Sequence, residues 1–358
     1  MTQIDAKIVA DSINIHGDRI TTYLLTYPRI IHAELMTHRM FSRNASSSRA
    51  VPIKRMIESV RNNMFIPLAI QKSHKGMQGE EYFTGDMLEQ AKQLWIDSAE
   101  LALQQAEKMS NFGITKQLVN RILEPYQYYQ VLVTATEYDN FFDLRCPRYD
   151  SLYNDYEYYK SWEDYVGHIE DYQTENYVKR FDIVGKLKEN KGQSEIHIMN
   201  LAEKMWNMQN ETVPKKLKAG EWHIPFIDAI DKVQLAIPHN EPTYGENTVK
   251  DIIKVSIARC ARTSYTTVGD ENKEFDYESD IKLYDKLLES GHMSPFEHVA
   301  RTMTNDEYYS FIKGKATEHY GLYSLDRLSV NNSKSMFGWC NNFKGFVSYR
   351  YIVESIKD

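Results

Sequence analysis

The stretch Thr37–Pro52, THRMFSRNASSSRAVP, places three arginines around a run of small hydroxyl residues directly after an apolar segment. Arginine offers a rigid fork of donors that suits phosphate and carboxylate groups. Serine hydroxyls and the backbone N–H groups of a turn add donors, and Asn44 tolerates a left-handed conformation. The stretch therefore has the parts of a phosphate or dinucleotide cradle, without the glycines of a P-loop. A solvated loop is the alternative, although a Ser-rich linker rarely follows a core strand directly.

Composition bounds the class of protein. The chain has 358 residues, 42% hydrophobic and 26% charged, which suits one large or two ordinary globular domains. Its net charge of −7 gives no basic field for nucleic acid or anionic membranes, so any bound anion must be held by local arginines. Cys146, Cys260 and Cys340 show no CxxC spacing. We expect a cytoplasmic protein, since the start of the chain is no signal peptide and no apolar run approaches ~20 residues.

Hydrophobic periodicity predicts a mixed α/β (α+β) chain. Residues 149–191 are acidic and tyrosine-rich, and we interpret them as a surface insertion, while the proline-rich residues 213–247 resemble a long connection. The predicted elements are a strand over 19–31, a helix over 86–109, one or two helices within 117–145, an amphipathic helix over 192–207, helices over 250–261 and 279–290, and a strand in the C-terminal GFVSYRYIVES.

The second distinctive cluster is GHMSPFEH, residues 291–298. Two histidines and a glutamate suggest a metal site, but the spacing lacks the geometry of HExxH, and we predict no metal. The alternative is a helix that ends at Gly291, with His292 near its C-terminus and Ser294 capping the next turn. Elsewhere Arg121, Asn140 and Arg145 are, taken singly, ordinary surface residues.

Taken together, these stretches resemble the flavin-dependent thymidylate synthases. The family signature runs Arg-His-Arg, two residues, Ser, one residue, Asn-Glu, one residue, Ser, one residue, Arg-Tyr. The same frame here reads Thr37-His38-Arg39, Ser42, Asn44-Ala45, Ser47 and Arg49-Ala50. The segments GHMSPFEH, ARTSY (261–265), NRILEP, NFFDLR and GQSEI (192–196) match further family motifs. In the family the first two of these precede the signature, whereas here they follow it by more than 200 residues.

The chain is therefore similar to a circularly permuted, divergent member of that family. The resemblance implies a central, mostly antiparallel sheet with helices, in one catalytic domain over 1–303. The extension 304–358 has no counterpart in the family, and we expect it to pack on that domain. It implies a homotetramer with shared active sites. It also implies transfer of a one-carbon unit from methylenetetrahydrofolate to C5 of dUMP, with FAD as cofactor and NADPH as reductant.

The resemblance also implies roles for individual residues. Arg145 and His292 would be catalytic, Arg145 by facing the pyrimidine ring. The nucleotide would be held by Glu34, Ser46, Ser47, Arg49, Arg121 and Arg145. The flavin would be held by His38, Arg39, Ser42, Asn44, Asn140, Ser264, His292, Ser294 and Glu297.

The departures from the signature leave the substrate open. Thr37, Ala45 and Ala50 replace an arginine, a glutamate and a tyrosine of the family. Glu34 stands where the family has a glutamine near the phosphate, and a carboxylate there needs a partner such as Arg43 or Arg121. The alternatives are a dUMP or dCMP hydroxymethyltransferase of the same fold and a flavin- or nucleotide-binding protein without turnover.

Overall fold

The computed structural model describes residues 4–75, 79, 81–153, 157–243, 245–265, 276–311 and 336–356. The strands are β1 (Asp5–Ile13), β2 (Arg19–Pro28), β3 (Ser42–Ala45), β4 (Tyr128–Ala135), β5 (Tyr149–Asp150), β6 (Tyr158–Tyr159), β7 (Lys215–Lys216), β8 (Trp222–His223), β9 (Ala300–Thr302), β10 (Trp339–Cys340), β11 (Phe343–Lys344) and β12 (Phe346–Ser348). The helices are α1 (His32–Leu35), α2 (Ile53–Asn62), α3 (Gly85–Asn111), α4 (Lys116–Val119), α5 (Asp139–Arg145), α6 (Trp162–Gly167), α7 (Tyr172–Val178), α8 (Ile183–Glu189), α9 (Ile196–Glu211), α10 (Lys232–Ala236), α11 (Glu246–Arg262), α12 (Tyr277–Glu289), α13 (Asn305–Ser310) and α14 (Tyr349–Ser355). Within these residues no helix combines the length and apolarity that crossing a membrane requires.

A five-stranded sheet with the order β3-β4-β2-β1-β7 lies at the centre. Its pairings are antiparallel except the short one between β1 and β7, which confirms the expectation of a mostly antiparallel sheet. Tyr23, Leu25, Val131 and Val133 are buried on this sheet, and Ile198 of α9 belongs to the same core cluster. The apolar face of α9 thus covers the sheet, as an amphipathic helix does.

The prediction of one or two helices within 117–145 is confirmed by α4 and α5, but the strand β4 that lies between them was not predicted. A short α4 and a 3-10 turn, Asn120–Tyr126 with Pro125 inside, lead into β4, and α5 follows. The β4 sequence YYQVLVTA is β-branched and aromatic and lies between two partner strands. A continuously apolar run of this kind has no period, so only its cross-strand partners distinguish a strand from a helix.

The predicted strand over 19–31 ends earlier, at Pro28. Proline has no N–H to donate to a ladder, and the chain turns at once into a 3-10 segment, Arg29–Ile31. The N-terminal strand β1 was not predicted; its sequence DAKIVADSI mixes five apolar with four polar residues and is only partly buried. It pairs along β2 in a hairpin and lies between β2 and the short edge strand β7.

The predicted helices over 250–261 and 279–290 are confirmed as α11 and α12, with bounds shifted by a few residues. They pack on each other through a separate apolar cluster that includes Val255, Ile257 and Phe296. Asp280 is fully buried in this unit, with Arg262 Nε 2.8 Å and Arg259 Nε 3.4 Å from its carboxylate. Because a buried charge requires partners, this ion triad fixes how the end of α11 sits against α12.

The predicted helices over 86–109 and 192–207 are also confirmed, as α3 and α9. The apolar repeat that predicts α3 does not mark its buried face, however. Met87, Leu94 and Leu101 are more than half exposed, whereas Leu103 and Ala106 pack in the core. Of these exposed residues, Leu94 lines a cavity described below.

The insertion 149–191 forms the short pair β5–β6 and three short helices, α6 to α8, around its own apolar cluster. The C-terminal extension pairs β12 with β9, directly after the GHMSPFEH segment. The predicted C-terminal strand is confirmed only for Phe346–Ser348, because Ser348 caps a helix, α14, over the following residues. In 213–247, the short strands β7 and β8 and the helix α10 interrupt the predicted connection.

Candidate active site

Asn44 joins the two clusters that the sequence singles out. Its Nδ2 donates to the carbonyl of Cys260 at 2.7 Å, and its Oδ1 accepts from Ser294 Oγ at 3.1 Å. Asn44 is buried on β3, and Ser294 begins the 3-10 turn Ser294–Glu297. The Ser/Arg loop, Thr37–Pro52, and the Gly-His turn, residues 291–298, therefore meet in one chain although 250 positions separate the two residues. The predicted cap by Ser294 on its own turn is wrong, since no side chain caps that turn.

The serines of the Ser/Arg loop lie against the end of α11. The last carbonyls of a helix have no partner within it. Ser46 Oγ lies 3.2 Å from the Thr263 carbonyl, and the Ser47 backbone N–H donates to the Ser264 carbonyl at 3.1 Å. Asn44 and the Ser47 N–H thus satisfy the carbonyls of Cys260 and Ser264, whereas the Ser46 hydroxyl has a nearer acceptor in the Gln130 carbonyl, at 2.9 Å. Much of the donor capacity of the loop is thus used within the protein, and Ser264 contributes its backbone to this contact.

A cluster around Arg145 holds the predicted catalytic arginine; we call Glu34, Thr37, His38, Arg145 and Ser194 the Arg145 cluster. Arg145 Nε donates to His38 Nε2 at 3.1 Å. Its Nη1 lies 3.4 Å from both Glu34 Oε2 and Ser194 Oγ, and its Nη2 lies 3.4 Å from Thr37 Oγ1. Glu34 is therefore paired by Arg145, and the expectation that Arg43 or Arg121 pairs it is wrong.

The charges of the Arg145 cluster follow from its surroundings. Burial, together with the positive charges of Arg145 and Arg43, lowers the pKa of His38 to about 4. His38 is thus neutral at neutral pH and accepts at Nε2, which leaves its proton on Nδ1. Burial and the nearby Glu195 raise the pKa of Glu34, while Arg145 opposes this shift.

A cavity of about 970 Å³, the large cavity, opens beside the Arg145 cluster. Its apolar and aromatic wall comes from α3 and the loop before it, and includes Trp95 and Tyr82. Its polar wall comes from residues 187–199 and includes Ser194 and Glu195. Ser194 lines the cavity and also lies 3.4 Å from Arg145, so the cavity wall and the cluster share this residue.

A second cavity of about 450 Å³, the tail cavity, joins Ser42 and Glu297 to the C-terminal extension. The extension contributes Cys340, Asn341, Asn342, Phe343, Ser348, Arg350 and Glu354 to its wall. Arg350 Nη1 donates to Glu297 Oε1 at 2.6 Å, and its Nε donates to Glu354 at 2.9 Å. The carbonyl of Arg39 accepts from Asn342 at 3.4 Å, which places the backbone of the signature next to this wall.

The predicted phosphate-binding residues differ in their surroundings. Arg49 is exposed and has no hydrogen-bond or ion-pair partner in the described part of the chain. Arg121 is exposed too, and its Nε donates to the Gln117 carbonyl one turn away. The neighbouring Asn120 is the residue that holds the loop, through the carbonyls of Ser48 and Val51. Sequence reasoning missed Asn120, although an asparagine beside a predicted site arginine is a recognisable signal.

The two histidines of the Gly-His turn do not share one environment. His292 is exposed at the end of α12, where Gly291 adopts φ +72° and Ser290 Oγ lies 2.9 Å from the imidazole, as the helix-end interpretation predicts. His298 is fully buried, and its Nδ1 lies 2.8 Å from Thr134 Oγ1. Thr134 bonds Thr22, which bonds the buried His223 at 2.8 Å.

Burial lowers the pKa of both His223 and His298 to about 3, so this chain of side chains is uncharged. Across the described residues, no three potential ligand side chains of the His, Cys, Asp or Glu type gather in a way that could hold a metal.

The structure therefore gathers the predicted residues into three groups. Asn44, Ser46, Ser47, Ser264 and Ser294 surround the end of α11; Glu34, His38 and Arg145 form the Arg145 cluster; and Ser42 and Glu297 line the tail cavity. Arg49, Arg121, Asn140 and His292 are exposed, and no contact in the described residues joins their side chains to these groups. The missed residues, Ser194 and Glu195, lie in the GQSEI segment, whose match to a family motif was the available signal.

No protein-family model matches the chain, and no curated protein matches it. Among solved structures, the chain is similar to the UMP/dUMP methylase PolB from Streptomyces cacaoi bound with 5-Br dUMP, with a TM-score of 0.40 and 14% identity, covering 59% of this chain and 91% of that one. The same enzyme bound with 5-Br UMP gives a TM-score of 0.38 and 16% identity, covering 59% of this chain and 90% of the other. A likeness at this level assigns neither a family nor an activity.

Proposed function

We propose that this chain transfers a one-carbon unit from methylenetetrahydrofolate to C5 of a pyrimidine deoxynucleotide, in the first instance dUMP to dTMP. The proposal includes FAD as cofactor, NADPH as reductant and a cytoplasmic homotetramer with shared sites. The observation that carries it is the meeting of the Ser/Arg loop and the Gly-His turn at Asn44. If the motifs are permuted in sequence but still form one site, these two segments have to meet in the folded chain, and they do.

In this proposal Arg145 stabilises the negative charge that develops on the pyrimidine ring as C5 becomes nucleophilic. His38 and Glu34 hold the guanidinium in place, and its Nη2 makes only the 3.4 Å contact to Thr37. Nη2 is therefore the group best able to turn toward a ligand. Because His38 is neutral at neutral pH, it orients Arg145 without adding a competing charge.

The nucleotide phosphate would be held by Arg49, Arg121 and Ser47. Arg49 supports this assignment because its guanidinium is exposed and has no partner within the described residues. Charge-assisted bonds of this kind are stronger than neutral ones. Arg43, in contrast, donates to the Met36 carbonyl at 2.8 Å and serves the fold of the loop.

The residues that line the tail cavity can be compared with the chemical groups of a flavin. Ser42, Glu297 and the tail residues Asn341, Asn342 and Ser348 offer hydroxyls, amides and a carboxylate, which suit the hydroxyl groups of a ribityl chain or ribose. Arg350 does not suit a diphosphate, because two carboxylates already share it. The fit is therefore to the sugar part of the cofactor. When bound, the flavin supplies the hydride that reduces the transferred carbon.

A second candidate is hydroxymethylation of dUMP or dCMP, in which water traps the one-carbon unit in place of hydride. The carboxylate of Glu34, which lies beside Arg145, favours the dCMP form of this candidate. A carboxylate only accepts hydrogen bonds, and the amino group of cytosine is a donor where uracil has an acceptor. Glu34 would thus discriminate in favour of cytosine if the base lies beside it.

The experiment is incubation of the purified protein with dUMP or dCMP, methylenetetrahydrofolate, FAD and NADPH, followed by mass analysis of the nucleotide. The first proposal expects dUMP to gain a methyl group. A gain of a hydroxymethyl group, on either base, selects the second candidate. Binding of flavin and nucleotide with no product would leave a binding protein without turnover and would refute both.

A further inference from the structure

The large cavity combines three chemical features. Trp95 and Tyr82 give it aromatic wall, and Leu94 and Met199 extend the apolar surface. Its volume of about 970 Å³ lies at the upper end of the range for small-molecule sites. None of the site residues predicted from the sequence lines it.

The second feature is an acceptor on the polar wall. The Glu195 carboxylate caps α9 through the N–H groups of His197 and Ile198, and it also bonds His197 Nδ1 at 2.5 Å. A carboxylate has about four lone-pair positions, so one of them is left for a donor in the cavity. His197 Nε2 is not available to a ligand, because it accepts from the Leu68 backbone N–H.

The third feature is positive charge from the end of the insertion. Lys188 and Lys191 line the large cavity, and neither ammonium group has an ion-pair partner in the described residues. Together, the two lysines and the Glu195 carboxylate of this wall carry a net charge of about +1. The tail cavity has the opposite balance, with Arg350 set against Glu297 and Glu354. Of the two cavities, the large one is therefore suited to an anionic ligand.

We infer that the large cavity binds a planar heteroaromatic ring with an N–H donor and a carboxylate-bearing tail. This is the chemistry of a reduced folate, the carbon donor of the proposed function, on which the inference rests. The ring packs against Trp95 and Tyr82 with a donor on Glu195, and the tail carboxylates reach Lys188 and Lys191. Because Ser194 touches both the cavity and Arg145, the ring end of the ligand lies beside the reacting base.

The inference also gives the insertion a role. Residues 149–191 form their own apolar cluster, and their last helix, α8, carries Lys188 to the cavity. The insertion would therefore be a folate-binding element that supplies charge for the tail.

The test is calorimetric titration of tetrahydrofolate, which has the tail, and of tetrahydrobiopterin, which has the ring without carboxylates, each with saturating dUMP present. In the Lys188→Gln, Lys191→Gln double variant, tetrahydrofolate should bind about 2- to 30-fold more weakly, the range for two exposed ion pairs. Tetrahydrobiopterin should bind as it does to the wild type. The matched control is the Lys250→Gln, Lys282→Gln double variant, which removes the same charge on α11 and α12 and should leave both ligands unaffected.

A Trp95→Leu variant tests the ring separately and should weaken both ligands. If this variant does not fold, the comparison of the wild type with the Lys188→Gln, Lys191→Gln double variant still tests the inference. Equal binding of tetrahydrofolate by the wild type and the lysine variant would overturn the inference, as would displacement of tetrahydrofolate by dUMP, which would make the cavity the nucleotide site. Lysine-dependent folate binding without turnover would support the inference and refute the proposed activity. Turnover that is unchanged in the double lysine variant would support the proposed activity and refute the inference.

Discussion

Replacing Asn44 by alanine should separate the Ser/Arg loop from the helix end and from the Gly-His turn. The substitution removes one donor, to the Cys260 carbonyl at 2.7 Å, and one acceptor, for Ser294 Oγ at 3.1 Å. Each hydrogen bond contributes about 1 kcal/mol, and a stranded buried carbonyl costs more. Asn44 is 6% exposed, so water cannot readily replace either partner. We expect a loss of about 2 to 3 kcal/mol in the free energy of unfolding.

The assay is urea unfolding followed by circular dichroism, with Asn176→Ala as the matched control. Asn176 donates to the Tyr172 carbonyl on the exposed helix α7, and its replacement should change stability by less than about 0.5 kcal/mol. Asn44→Asp keeps the volume but sets an acceptor against the Cys260 carbonyl, so it should destabilise at least as much as alanine. A loss below about 0.5 kcal/mol for Asn44→Ala, with Asn44→Asp tolerated, would refute the bridging role.

Three further outcomes are expected. Arg49→Ala should weaken nucleotide binding by about 1.5 to 3 kcal/mol in calorimetry, whereas Arg61→Ala, whose partner is Glu107, should not; unchanged affinity would place the phosphate elsewhere. Glu34→Gln should strengthen binding of an anionic ligand up to about fivefold by freeing Arg145, and this gain should shrink at low pH because burial raises the pKa of Glu34; weaker anion binding at neutral pH would contradict it. Burial lowers the pKa of His223 and His298 from 6.5 to about 3, so the unfolded chain binds protons first and stability should fall as pH drops below about 6.5, by about 2 kcal/mol per histidine at pH 5. His223→Gln should flatten that part of the urea-midpoint profile, and an unchanged slope would show that other groups cause the loss.

The sequence predicts the long amphipathic helices well, because α9, α11 and α12 carry their own periodicity and their ends carry recognisable signals. Gly291, at the end of α12, adopts the left-handed conformation that its residue type favours. The strands are harder. β4 has no periodic pattern and depends on partners that are distant in the chain, whereas β1 pairs with the next strand, β2, and a register shift between Ile8 and Ala10 interrupts its alternation.

The same division holds for the candidate site. Residue types in the Ser/Arg loop point to anion chemistry, but the sequence does not show that Ser46 and Asn44 are engaged with the end of α11. Nor does it show that Arg145 is the partner of Glu34, since 111 positions separate them. The apolar stripe of α3 predicts the helix and misplaces its buried face, because Met87, Leu94 and Leu101 border open space and a cavity wall. Periodicity of apolar residues identifies a helix, but it does not show which other element, if any, packs against the apolar face.

The most direct measurement is a crystal structure of the protein grown with FAD and dUMP. The account predicts the pyrimidine beside Arg145, the phosphate at Arg49, and the flavin against Ser42 and the Gly-His turn. Nucleotide bound at a surface that touches neither Arg145 nor the Ser/Arg loop, in the monomer or across any subunit contact, would contradict it.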